Sequence, residues 1–371
     1  MARIVVAMSG GVDSSVAAAL LKEQGHEVIG IMLRLWSEPA AELDDGVEHV
    51  AENKCCSLES VGDARRVSQL LDINFYMVNV EQQFKQRIVD YFYDEYVQGR
   101  TPNPCLNCNR HIRFTLLLER ALALGAEYLA TGHYVRVETD PVSGKRRLRK
   151  GVDPAKDQSY VLHVLNQQQL AHACFPLGGF TKPEVRAMAA ERGLPVAAKA
   201  ESQEICFVAG GDYRGFMKRY TESTGAKAPS QGPILDVSGQ QIGTHQGLAY
   251  YTVGQRRGLG LDLQERLHVL KLDTARNALV VGGPKHLERD TFTVHQAHYI
   301  SGEVPSEPFE ANVRVRYKAS EIPAVITPLS ATTAQITLSQ PQRAITPGQA
   351  AVFYGGPTED EVLGGGIIRD D

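Results

Sequence analysis

Residues 8–15 read MSGGVDSS, set between the apolar run Ile4-Val5-Val6-Ala7 and a helix-forming stretch over 16–22. The order is strand, glycine turn, helix start, which aims unpaired backbone N–H groups at one point. Those donors and the helix dipole both favour an anion, so the segment suits a phosphate. Gly10 and Gly11 allow close backbone approach, and Ser9, Ser14 and Ser15 add hydroxyls. No G-x-x-x-x-G-K-[ST] is present, so the loop carries no lysine for the β- and γ-phosphates. Asp13 stands there instead, and a carboxylate beside a polyphosphate implies an intervening Mg²⁺. A Gly-Gly turn alone would be an ordinary strand–helix connection; the full S-G-G-x-D-S-S string is far more specific.

Outward from the loop, the first two hundred residues alternate apolar strands with amphipathic helices. Strands are expected over 28–33, 75–80 and 126–131, the last ending in Gly132-His133. Helices are expected over 60–71, 81–98 and 112–124, with Phe84, Ile88, Phe92 and Tyr96 on one face of the second. This alternation predicts an α/β fold with a doubly wound, mostly parallel sheet. The loop resembles the pyrophosphatase (PP) loop of enzymes that split ATP between the α- and β-phosphates and adenylate an oxygen of their substrate. That resemblance implies the adenine-nucleotide-hydrolase kind of this fold. The polar, acidic stretch over 38–53 reads as a surface loop. A small central connecting domain rich in glycine and turns follows, then an all-β barrel of short punctuated strands at 311–318, 324–326, 333–337 and 350–354. The expected division is 1–210 for the nucleotide-binding domain, 211–285 for the connecting domain and 286–371 for the barrel.

The 371 residues exceed one ordinary core, with 43% hydrophobic and 22% charged residues. No apolar stretch is long enough to span a membrane and no leader precedes the first strand, so a cytoplasmic, membrane-free and monomeric protein is expected. The net charge of −4 does not itself select a nucleic-acid partner. Local basic clusters occur at 145–150, at Arg256-Arg257, and at Arg314, Arg316 and Lys318 around Tyr317.

Six cysteines in such a chain should be thiols rather than disulfides. In GRTPNPCLNCNRHIRF (99–114) the two prolines predict an extended loop between helices. Cys105 and Cys108 could then share a metal or exchange sulfur, with Arg110, His111 and Arg113 favouring thiolate. Half of a zinc site is the plainer reading, but no second pair supplies the other ligands. Cys55, Cys56 and Cys174 read as core or spectator residues. Cys206, taken alone, fits a buried position as well.

Taken in order, S-G-G-V-D-S-S, G-R-T-P-N-P-x-x-x-C-N, A-T-G-H-Y, K-D-Q-S-Y, E-I-C-F, T-V-G-Q-R-R-G-L-G and T-P-G-Q-A-A-V-F-Y resemble the tRNA-specific 2-thiouridylases over essentially the whole chain. The resemblance implies ATP at Ala7, Met8, Ser9, Gly10, Gly11, Val12, Asp13 and Ser14, with Leu33 and Gly132 lining its pocket. It implies that the wobble uridine O2 of a tRNA is adenylated and then replaced by sulfur. Cys206 would carry a persulfide from a sulfur-donor protein, with Cys108 as the resolving thiol. Asn103, Pro104 and Cys105 would meet the base, and His133, Lys156, Asp157, Gln158, Arg316, Tyr317 and Gln349 the tRNA. One departure matters: many family members carry aspartate where this chain has Cys105. Cys105, Cys108 and Cys206 could therefore hold an iron–sulfur cluster instead, with one iron carrying the reacting sulfur. An ATP-dependent amide or amidine synthetase and a non-catalytic RNA-binding protein are remoter alternatives. The synthetase lacks an ammonia source, and the intact loop speaks against the binding protein.

Overall fold

The computed structural model describes residues 1–38, 57–200, 205–226, 228–261 and 266–369, with the backbone of 41–42 and 48–49. Most of the acidic stretch over 38–53, and Cys55 and Cys56, lie outside the described residues.

The N-terminal sheet has five parallel strands in the order Asn74–Asn79, β2 (Glu27–Arg34), β1 (Arg3–Met8), Tyr128–Ala130, Ala173–Cys174. Helices cover both faces because the strands alternate. Val5, Ile31 and Leu129 enter one apolar cluster, whereas Ile4, Val6, Met32 and Ala130 enter the other. The chain builds outward from β1 on one side and then on the other. The switch point therefore falls between β1 and Tyr128–Ala130, where ligands of such sheets bind.

The long helical run over 81–97 buries Phe84, Ile88, Phe92 and Tyr96, as their four-residue spacing predicts; its middle, Lys85–Asp90, is π-wound. Residues 101–103 form the loop between helices that the prolines predict, but the helix expected from 112 begins earlier. A helix starts at Pro104 and runs, π-wound over Cys108–Leu117, to Ala123. Asn103 accepts a hydrogen bond from Cys105 N at 3.1 Å as N-cap, and Pro104 occupies the first helical position, where no N–H is needed. Pro104 thus launches a helix, and both cysteines ride on its opening turns.

A central unit follows, with helix Tyr213–Thr224 and a four-stranded sheet in which Gln241–His245, Gly232–Leu235, Ala278–Gly282 and His268–Asp273 lie side by side. The last part is a closed antiparallel barrel of six strands. It runs Glu288–Tyr299, Thr333–Arg343, Ile322–Ser330, Phe309–Arg314, Ala350–Gly355, Glu361–Ile368, and the last strand pairs back onto the first.

The basic cluster over 145–150 is part of a hairpin, Val135–Thr139 and Arg146–Lys150, that leaves the N-terminal domain and pairs with the barrel through Val362↔Leu148. Several of its cations are spent on carboxylates: Arg149 on Asp360 at 2.7 Å, Lys150 on Glu321 at 2.6 Å, Lys145 on Glu303 at 2.6 Å. Barrel residues Val352, Tyr354 and Val362 join Val135, Leu148 and Tyr160 in one apolar cluster, so catalytic domain and barrel share a core. Among the described residues no helix is long and apolar enough to cross a membrane.

Candidate active site

The loop after β1 is built from its own residues. Gly10 takes φ +68°, and a Cβ there would lie 2.2 Å from the Ser60 carbonyl oxygen, so only glycine fits. Gly11 caps α1 (Val12–Glu23). Ser14 Oγ accepts from Ser9 N at 3.1 Å, and Ser15 Oγ donates to Gly11 O at 2.8 Å. Both side chains are buried, so these hydroxyls hold the turn in shape and leave backbone N–H groups to face a ligand. Gly132 follows the neighbouring strand, and a Cβ on it would come within 2.9 Å of Asp13 and Ser14. The two chain segments therefore touch at the switch point.

Asp13 lies in the first turn of α1, and its Oδ1 accepts from Tyr134 Oη and from Lys182 Nζ, each at 2.7 Å. The cation beside Asp13 thus comes from a residue 169 positions away. Lys182 sits at the first position of helix Lys182–Glu191, behind a Thr181–Glu184 capping box. Its backbone N–H donates to Asp153 Oδ2 at 2.9 Å, and its side chain is 9% exposed. Sequence reasoning missed Lys182 and Tyr134; the T-K-P-E string at 181–184 marks a helix start but does not reveal what its lysine faces.

A second charged group flanks the loop. Lys199 reaches Asp63 Oδ2 at 2.5 Å, and Arg66 reaches Asp63 Oδ1 at 2.5 Å. Burial alone would raise the Asp63 carboxyl, but the hydrogen bonds from Lys199 and Arg66 outweigh it and bring it below its ordinary value.

The thiol end is assembled from distant parts of the chain. Cys105 is exposed, whereas Cys108 and Cys206 are half-buried and pack against one aromatic cluster containing Phe84, Phe92, Phe207 and Phe216. Thr101, just ahead of the 104–123 helix, donates its N–H to Pro347 O at 2.8 Å and accepts at its carbonyl from Gln349 Nε2 at 2.7 Å. Its hydroxyl meets Thr252 of the central unit at 3.3 Å. Arg316, Tyr317 and Lys318 lie beyond the end of strand Phe309–Arg314 in an exposed turn. Burial raises the Tyr317 phenol, and Asp157 and Cys105 add to that. Among the described residues no three His, Cys, Asp or Glu side chains gather to hold a metal. The donor set of an iron–sulfur cluster, Cys105, Cys108 and Cys206, is not assembled here.

Other expected tRNA contacts are engaged internally. His133 is buried, with Nδ1 2.7 Å from Thr131 Oγ1 and Nε2 3.1 Å from Arg113 Nη1; burial, then Arg113, holds it neutral. Asp157 is buried and accepts from Arg314 Nη1 at 2.8 Å and Ser159 Oγ at 2.9 Å. Gln158 Oε1 accepts from Tyr134 N at 3.0 Å, and Lys156 is half-buried.

Three family models match in succession: a "tRNA methyl transferase HUP domain" over 2–210, a "tRNA methyl transferase PRC-barrel domain" over 215–283 and an "Aminomethyltransferase beta-barrel domain" over 289–368. Full-length similarity extends to proteins named tRNA-specific 2-thiouridylase MnmA. That of Roseiflexus castenholzii is 48% identical and covers all of both chains. That of Moorella thermoacetica is 50% identical over 98% of this chain and 99% of its own. That of Geotalea uraniireducens is 50% identical over 99% and 95%.

Proposed function

The chain belongs to the tRNA-specific 2-thiouridylase family, and on that footing we propose that it replaces O2 of a tRNA wobble uridine by sulfur in two stages, the first of which consumes ATP. It is a tRNA-uridine sulfurtransferase. The observation that carries the reading is end-to-end identity of about half with proteins of that name, with the S-G-G-V-D-S-S loop intact at the sheet's switch point. The family models speak of methyl transfer. A pyrophosphatase-type loop suits thiolation better, because a carbonyl oxygen leaves only after conversion into a good leaving group such as AMP.

In the first stage the backbone N–H groups of Gly10–Ser14 and the α1 dipole bind the phosphates, with Leu33 and Gly132 beside the nucleoside. Both donors recorded on Asp13 fall on Oδ1, so the carboxylate fits a role as Mg²⁺ ligand. Bound Mg²⁺ would spread the polyphosphate charge. The uridine, extruded from its stack, presents O2 to the α-phosphate near Asn103, Pro104 and Cys105. In the second stage the terminal sulfur of a Cys206 persulfide, loaded by a donor protein, attacks C2 and AMP departs. Cys108 thiolate then attacks Cys206 Sγ, leaving sulfur on the base and a Cys108–Cys206 disulfide for an external dithiol to reduce. No step is routed through a cluster, whose ligands are not gathered. We also take 1–210, 211–285 and 286–371 as the working division, with Arg316, Tyr317 and Gln349 on the tRNA side of the barrel.

Purified protein given ATP, a persulfide donor and unmodified tRNA should release pyrophosphate in a tRNA-dependent manner and yield 2-thiouridine. Absence of both, measured by pyrophosphate assay and nucleoside mass spectrometry, would rule the reading out.

A further inference from the structure

The proposed sulfur transfer leaves Cys206 tied to Cys108, and the sulfur carrier has to be freed before it can be loaded again. Both residues of that bond are half-buried against the cluster of Phe84, Phe92, Phe207 and Phe216, where a dissolved reductant has poor access. Cys105 is exposed and lies one turn from Cys108. The Cys108 N–H is shared between the carbonyls of Cys105 and Pro104, and Leu106 N–H donates to Asn103 O at 3.2 Å. Hydrogen bonds spanning three residues wind a turn tightly and eclipse side chains three apart, so Cys105 and Cys108 share one edge of the helix. Cβ atoms one turn apart, at about 5–6 Å, need to close by about 1–2 Å to carry a disulfide. Cys105 also stands at the second position of the helix, where the N-terminal dipole favours thiolate, the attacking form.

We propose that Cys105 takes the disulfide off Cys206 and carries it to the surface. Cys105 gives its proton to solvent, and its thiolate attacks Cys108 Sγ. The Cys105–Cys108 bond forms, and Cys206 leaves as a thiolate with the electron pair of the broken S–S bond. One disulfide replaces another, so the exchange needs no oxidant. The external dithiol then reduces the Cys105–Cys108 bond at its exposed sulfur and restores both thiols. Tethering on one helical turn gives Cys105 a local concentration that a dissolved thiol does not reach. This inference rests on the persulfide reading and gives the third cysteine a task within it.

The test charges full-length protein with persulfide, removes donor and reductant, and allows one turnover with ATP and unmodified tRNA. Remaining thiols are then blocked with N-ethylmaleimide under mildly acidic, denaturing conditions, and tryptic peptides are mapped by mass spectrometry. Trypsin cuts after Arg100, Arg110, Lys199 and Arg214, so Cys105 and Cys108 share one peptide and Cys206 lies on another. Wild type should give a disulfide inside the first peptide and an alkylated Cys206. Cys105→Ser should instead give a cross-link between the two peptides for each 2-thiouridine formed, whatever its turnover. Reloading of Cys206 in the presence of a dithiol should be at least about 10-fold slower in that variant. Cys105→Ala carries the same comparison if the serine variant does not fold. A cross-link between the peptides in wild type, with Cys105 alkylated, or equal reloading rates, would overturn the relay and leave the persulfide reading standing. 2-Thiouridine formed with no disulfide at Cys108 would refute the persulfide reading itself, and the relay with it.

Discussion

The phosphate end of the site and its thiol end are built in opposite ways. The loop after β1 closes on itself: Ser9, Gly11, Ser14 and Ser15 bond to one another within seven residues. The thiol end is held from afar, Thr101 by Pro347 and Gln349 of the barrel and by Thr252 of the central unit, with Cys206 brought to the Cys108 cluster from a hundred residues downstream. A self-contained anion cradle needs little from the rest of the fold. The thiol end, by contrast, is held where the N-terminal, central and barrel parts of the chain meet.

If Cys206 carries the sulfur as proposed, removing it should separate the two ends most sharply. Cys206→Ser should lower 2-thiouridine formation by a factor on the order of a thousand, since covalent sulfur transfer loses its nucleophile. tRNA affinity should stay within about 2-fold, because the half-buried thiol contributes little surface for RNA. Pyrophosphate release should persist, since no bond in the loop depends on Cys206. Near wild-type thiolation by this variant would end the persulfide role; loss of tRNA binding would mean that the ends are not separable.

The same contrast governs how much could be read from sequence. The parallel sheet, the loop, the 81–97 helix and the barrel follow from local alternation, spacing and turn residues. T-P-N-P was ambiguous because proline both breaks helices and starts them, and Asn103 as cap decided for starting. The basic run over 145–150 gave no hint that Asp360, Glu321 and Glu303 would meet it, since those carboxylates lie far along the chain. Lys182 was invisible for the same reason. Single-sequence patterns report a residue's neighbours along the chain, and the pairing of Asp13 with Lys182 is made only by tertiary packing.

If the barrel positions the thiol end, the contacts joining it to the catalytic domain should matter for stability. Arg314 joins Asp157 of the catalytic domain to Glu321 of the barrel at 2.8 Å each, and its guanidinium lies 4.7 Å from the Tyr354 ring centre. Asp157 is almost fully buried, so Arg314→Met should leave a buried carboxylate unpaired on that side. A cost of about 3 kcal/mol is expected in urea or guanidinium unfolding. Nucleotide binding at the phosphate end should be little changed. A loss below about 0.5 kcal/mol would show that the shared strands and apolar core alone join the domains.

The smallest expected effect is a pH dependence set by buried histidines on both sides of this junction. His163, whose Nδ1 lies 2.8 Å from Tyr160 O, is pushed down to about 3 by burial, with Arg110 and His298 adding to the shift. His133, behind the phosphate loop, is lowered as well. Both are neutral in the folded protein below pH 6.5, where the unfolded chain takes up a proton at each. The unfolded state then binds more protons, so stability falls as pH falls, by about 1.4 kcal/mol per unit for each such group. Between pH 6.5 and 5 His163 alone should contribute a loss of about 2 kcal/mol. His163→Gln keeps a donor for Tyr160 O and cannot titrate, so its thermal midpoint should fall less steeply with acid than that of wild type. Parallel slopes for the two proteins would show that protonation reaches His163 without unfolding the shared core, and that the acid sensitivity belongs to His133 at the phosphate end.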